Sequence, residues 1–129
     1  MHSVNALDLA TAMQKRTKQF ALRVIKLSKA LPKGEEARVI GRQVLRSGTS
    51  VGANYRAVCR ARSKREFVSK MNVVLEEADE TAYWLELLVE AEILAARRLR
   101  ELMQEAGELV SIFSASLRTA RRNSNGKRR

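Results

Sequence analysis

Apolar residues in this chain recur in step with coiled-coil geometry. Met13, Thr17, Phe20, Val24, Leu27 and Leu31 step by 4, 3, 4, 3 and 4, the spacing that holds one helix face against a partner. Thr17 is the single polar member of that seam. Ile40, Val44, Ser47, Val51, Tyr55 and Val58 make a second face. Phe67, Met71, Val74, Ala78, Thr81, Leu85 and Leu88 make a third, widened by Leu75, Ala82 and Val89. Leu99, Leu102, Ala106, Leu109, Phe113 and Leu117 make a fourth. The pattern predicts helices over about 8–31, 35–61, 64–94 and 97–122. Short links between four amphipathic helices give an all-α, antiparallel up-down-up-down four-helix bundle over residues 1–122.

The breaks have local signatures. Pro32-Lys33-Gly34 ends the first helix, because proline cannot donate to the ladder and glycine permits a reversal. Glu35 and Glu36 suit the positive N-terminal end of the second. Arg46-Ser47-Gly48-Thr49-Ser50 reads locally as a loop, so two short helices with a break are an alternative. Continuity is preferred because the apolar phase before Ser47 agrees with the phase after it. The small residues then let a neighbouring helix approach closely. Ser63-Lys64-Arg65-Glu66 fits the capping box, which places a tight turn near Arg62. No glycine or proline marks the end of the third helix within Ala91–Arg97. Residues 123–129 have nothing to bury and are expected to be a disordered basic tail.

Composition narrows the class. A chain of 129 residues is one domain and can bury a core without disulfides or metals. Its one cysteine, Cys59, cannot form an internal disulfide, and no apolar run approaches a membrane span. The start of the chain lacks the blocks of a signal peptide. These features give the expectation of a cytoplasmic protein that does not engage a membrane. Net charge is +11, unevenly spread: residues 1–65 carry +12, residues 66–117 carry −7, and the last twelve add six cations. A basic half and an acidic half can attract each other within or between subunits, and the excess can attract a polyanion.

Enzymatic chemistry finds no footing. A ferritin-like metal site needs carboxylates and Glu-x-x-His motifs facing inward. Glu76, Glu77, Asp79 and Glu80 supply carboxylates, but the only histidine is His2. One cysteine and one histidine cannot close a zinc site. Cys59 has no histidine in reach, and is expected to be a passive, partly buried residue. Gly48-Thr49-Ser50-Val51-Gly52 lacks the Gly-Lys-Ser/Thr ending and the preceding strand of a phosphate-binding loop. No catalytic residue, metal or cofactor is predicted.

The basic residues form a pattern. At about 100° per residue, Arg38, Arg42, Arg56 and Arg60 fall within a ~40° sector of the second helix, with Arg46 ~40° beyond. The apolar face lies roughly opposite. The result is a guanidinium row about 33 Å long, extended around the turn by Arg62, Lys64 and Arg65. Such a row can follow a nucleic-acid backbone. Equally, its members can pair with acids on the third helix or a neighbouring subunit. Nothing resembles a helix-turn-helix, zinc finger or aromatic RNA-binding signature, so little sequence specificity is expected. Arg118, Arg121, Arg122, Lys127, Arg128 and Arg129 form a candidate electrostatic arm.

The string from Leu45 to Leu88 carries a resemblance. Leu45-Arg46-Ser47-Gly48-Thr49-Ser50-Val51-Gly52-Ala53-Asn54-Tyr55-Arg56, Arg60-Ala61-Arg62-Ser63-Lys64-Arg65-Glu66-Phe67 and Glu77-Ala78-Asp79-Glu80-Thr81-Ala82-Tyr83-Trp84-Leu85 are similar to the bacterial four-helix-bundle family named after proteins encoded in intervening sequences of 23S rRNA genes. The resemblance covers most of residues 17–117 and has no established chemistry attached. It implies a homopentameric ring. A related branch, the accessory variability determinant of diversity-generating retroelements, implies binding to RNA or DNA and to a reverse transcriptase. The matching positions include Arg46, Ser47, Ser50, Asn54, Arg60, Ser63, Glu77 and Glu80. Relatives commonly place a glutamate where this chain has Ala57. Two functions follow as expectations: an oligomeric nucleic-acid binder, RNA favoured, or an adaptor that recruits a protein such as a polymerase. A partner retained after nuclease treatment separates them.

Overall fold

The computed structural model describes residues 5–127. It contains four helices and, among the described residues, no strand: α1 (Ala6–Lys29), α2 (Glu35–Val58), α3 (Lys64–Glu90) and α4 (Ala96–Lys127). Each helix packs extensively on the next in sequence, whereas α1 and α4 meet along a much thinner seam. The interior is built from the expected faces. Phe20 and Val24 of α1, Val44 and Val51 of α2, Val74, Leu85 and Leu88 of α3, and Leu99, Leu109 and Phe113 of α4 are buried in one cluster.

α1 begins two residues before the expected start, because the Asn5 side chain accepts from the Asp8 amide at 2.9 Å and caps it. It ends two residues before Leu31, whose backbone is held off the helical region by Pro32. α2 is continuous through Arg46–Ser50. Ser47, Thr49 and Ser50 donate to the carbonyls of Gln43, Leu45 and Arg46 at 2.8, 2.7 and 2.7 Å, so their hydroxyls are spent along the helix and do not open a turn.

The small residues of α2 bring α1 close. A Cβ placed on Gly48 would stand 2.7 and 2.8 Å from the two γ-methyls of Val24. One on Gly41 would meet Leu31 Cδ1 at 2.5 Å, and one on Gly52 would meet the Thr17 carbonyl oxygen at 3.3 Å. Thr17 is itself buried, and its hydroxyl donates to the Met13 carbonyl at 2.9 Å. The polar interruption of the α1 seam is therefore satisfied within its own helix.

α2 stops at Val58, three residues short of expectation. The chain tightens there into i→i−3 bonds, Arg60 N–H to the Ala57 carbonyl and Ala61 N–H to the Val58 carbonyl. Ser63 caps α3 as its sequence foretells, accepting from the Glu66 amide at 3.1 Å. The returning bond differs: the Glu66 carboxylate accepts from the amide of Arg62, at 3.4 Å.

α3 ends at Glu90 without glycine or proline. Glu92 takes φ = 60°, the left-handed conformation. The Ile93 amide then donates to the Leu88 carbonyl at 2.9 Å and the Glu92 amide to the Val89 carbonyl at 3.0 Å. This is a Schellman closure with glutamate in the position that usually holds glycine. At the other end of the chain, α4 runs to Lys127, beyond the expected boundary at 122. Extending a formed helix adds one hydrogen bond per residue without a new nucleation cost, so residues 123–127 continue the ladder. The rest of the expected tail, 128–129, lies outside the described residues.

Candidate nucleic-acid interface

The outward face of α2 is set by its core phase. With Val44, Ser47, Val51 and Tyr55 buried, the arginines on the far side of the helix are exposed. Arg38, Arg42, Arg46 and Arg56 all reach solvent from α2. Arg60 and Arg62 do so from the turn after it, which corrects the expectation that Arg60 stands on the helix. Lys64 is half-buried and Arg65 exposed in the first turn of α3.

Two members of the predicted row are engaged. Arg38 pairs with Glu35 one turn earlier on the same helix. Arg46 reaches across to α3: one guanidinium nitrogen lies 3.2 Å from Glu77, a second pairs with Glu80, and Nε donates to the Gln43 side chain at 3.1 Å. Glu80 also accepts from the Trp84 indole N–H at 3.1 Å. Just inside this network the Thr81 hydroxyl donates to Ser47 Oγ at 2.9 Å, and the Ser47 hydroxyl donates in turn to the Gln43 backbone carbonyl. Among the described residues, Arg42, Arg56, Arg60, Arg62, Lys64 and Arg65 make no ion pair. The row divides accordingly, with Arg46 acting as an α2–α3 clamp and those six cations available to a ligand.

Arg16 was not flagged by the sequence pattern. It donates to Glu105 at 2.7 and 2.8 Å and to Glu108 at 2.9 Å, fastening α1 to α4. The hydrogen bond to Glu105 is the main force raising the pKa of its guanidinium, and partial burial opposes it. No spacing rule identifies such a pair, because its members lie on helices at opposite ends of the chain. A recess of about 480 Å³ between α1 and α2 is lined by Lys15, Lys18 and Arg56 and by no acid. The two lysines extend the positive surface from α2 onto α1.

Tyr55 packs in the core with its ring centroid 5.9 Å from that of Phe113, so it is no stacking platform for a base. Burial pushes its phenol up to about 12, with the neighbouring Cys59 adding to the shift. Cys59 is exposed, not partly buried as expected. It caps α2 one residue beyond Val58, where the side chain turns out from the bundle. Tyr83 is exposed and stands edge-on to Trp84, with centroids 5.1 Å apart. His2 lies outside the described residues. Among the described residues no group of three His, Cys, Asp or Glu side chains is placed to hold a metal. No described helix is long and apolar enough to cross a membrane.

Fold and surface together define an all-α four-helix protein with a basic ridge partly spent on interhelical clamping. The chain belongs to the 23S rRNA-intervening sequence protein family, whose model matches residues 10–115. It is similar to a solved protein of unknown function from the S23 ribosomal protein family of Bacteroides thetaiotaomicron VPI-5482. The two are 33% identical, the similarity covers 84% of this chain and 97% of that one, and the TM-score is 0.78. No curated protein matches the chain. Arg46, Ser47, Glu77 and Glu80, four of the positions that carried the resemblance, all belong to the α2–α3 clamp. In this chain those positions hold α2 against α3.

Proposed function

We propose that this chain is a non-enzymatic RNA-binding protein that works in the cytoplasm as a homopentamer of up-down-up-down bundles. The observation that carries the reading is the set of cations left over: Arg42, Arg56, Arg60, Arg62, Lys64 and Arg65 follow one another along α2 and around the turn, with no carboxylate partner among the described residues. Guanidinium forks match phosphate oxygens, and a row of them grips a backbone while reading little sequence. The up-down arrangement is supported by the contacts Gly41–Leu31, Gly48–Val24 and Gly52–Thr17, in which one number rises as the other falls. The subunit number follows from the resemblance to a pentameric family, and assembly is favoured by the division of charge along the chain.

The test is a titration of a fluorescent single-stranded RNA across a salt series. Six phosphate contacts give a slope of log K against log salt of about −4. Arg56→Ala/Arg60→Ala removes two of them, which flattens the slope by about 1.4 and weakens binding alike for all sequences. Arg46→Ala leaves binding unchanged, because that guanidinium already belongs to Glu77 and Glu80. Wild-type affinity and slope in the double variant would overturn the reading.

A further inference from the structure

Two exposed helix faces carry matching patterns of opposite charge. On α1, Lys15, Lys18, Leu22, Lys26 and Lys29 are all exposed and fall within a sector of about 80° opposite the core. On α3, Glu76, Asp79, Tyr83, Glu86 and Glu90 are likewise all exposed, within about 80° of one another. Each face is four charges of one sign around a central apolar side chain. Leu22 is 50% and Tyr83 52% exposed. Each strip runs over fifteen residues, about 21 Å of helix from first to last. Among the described residues none of these eight charges makes an ion pair.

The two faces cannot satisfy each other within one molecule. α1 packs on α2 and touches α4, but its backbone does not come close to that of α3. The two helices therefore stand at opposite corners of the bundle, and their outward faces point away from each other. A basic strip on one side and an acidic strip of equal length on the other are what a head-to-tail contact between identical subunits requires.

We infer that the α1 lysine strip of one copy docks on the α3 acidic strip of the next, with Leu22 and Tyr83 at the centre of the contact. The occupant is a second copy of this chain, because both halves of the complementarity are on the one molecule. The recess between α1 and α2 opens alongside the lysine strip and contains no acid to repel the incoming face. One strip of about 21 Å by roughly 10 Å is smaller than a standard stable interface. Closing a ring, so that each copy is held on both sides, supplies the missing contact. The inference rests on the oligomeric half of the function proposed above and is independent of RNA binding.

The experiment uses two charge-reversed variants of the full chain and measures mass by light scattering at low salt. Asp79→Lys/Glu86→Lys reverses the two inner charges of the acidic strip, and Lys18→Glu/Lys26→Glu reverses those of the lysine strip, so each variant alone sets like charges against one another beside Leu22 and Tyr83. All four sites are exposed, so helicity by circular dichroism stays at the wild-type level. The wild type runs as an oligomer, each variant alone as a monomer, and an equimolar mixture regains a mass above the monomer, since the two unaltered strips match each other and the two strips with reversed inner charges match as well. A variant that keeps the wild-type mass alone overturns the interface while leaving the oligomer standing. A mixture that stays monomeric also overturns it. A wild type that is itself monomeric removes both the interface and the oligomeric reading, and the RNA titration then decides the remainder.

Discussion

Of the two α2 glycines that face α1 itself, Gly48 has the less room for a Cβ, and replacing it with alanine isolates what that closeness is worth. Alanine in place of glycine inside a helix ordinarily stabilises by about 1 kcal/mol. At Gly107 on α4 a new Cβ would meet nothing within 4 Å, so Gly107→Ala expresses that whole gain. At Gly48 the same methyl stands 2.7, 2.8 and 3.1 Å from Cγ2, Cγ1 and Cβ of Val24. Val24 is fully buried, and its branched side chain cannot turn both methyls away. The helices must separate, an overpacking cost of about 1–3 kcal/mol. The net effect of Gly48→Ala is a loss of about 0–2 kcal/mol, which places it about 1–3 kcal/mol below Gly107→Ala. Urea unfolding followed by circular dichroism resolves a difference of that size as a shift of roughly 1 M in midpoint. Val24→Ala in the Gly48→Ala background recovers part of the loss, a coupling expected only of residues in contact. If Gly48→Ala stabilises as much as Gly107→Ala, the reasoning about close approach is refuted. Gly41 makes a milder case, because its neighbour is the far end of Leu31, which can swing aside.

Two other outcomes follow from single residues. Glu92→Gly relieves a left-handed backbone that costs a side-chain-bearing residue about 1 kcal/mol; thermal or urea unfolding should show stabilisation of that order, and no gain would mean that the Glu92 side chain holds the turn by other contacts. Tyr55 has a folded pKa raised from 10 to about 12, so its contribution is fully present below pH ~10 and is lost as pH rises through about 12. Alkaline titration of stability should fall over that window by up to about 2 kcal/mol, and Tyr55→Phe should remove that part of the fall; an unchanged profile in the variant would assign the loss to other groups.

Much of the helical layout was legible because it depends on local rules. The seam from Phe67 to Leu88 and the Ser63 cap locate α3 at its first residue, and phase continuity through Ser47 identifies α2 as one helix. The end of α3 was not legible, since the turn uses glutamate where the usual signal is glycine. The candidate interface was half legible. Helical phase places Arg42 and Arg56 on the outside, but phase alone cannot say that Arg46 finds Glu77 and Glu80, whose distance from it is fixed by packing. It could not place Arg60 either, because the early end of α2 is set by backbone bonding around Ala57 and Val58. The α1–α4 tie was invisible for the same reason: Arg16 and Glu105 are neighbours only once the two helices between them have been laid down.

Every extensive helix contact joins segments that follow each other directly in the chain. Wiring of this kind keeps the average loop that must be closed short, which is the condition for rapid folding. During synthesis each new helix can settle on its predecessor as it emerges, with no distant segment to wait for. The Arg16 bond to Glu105 and Glu108 is different, since it needs the first and fourth helices together. That latch can close only once the fourth helix has left the ribosome.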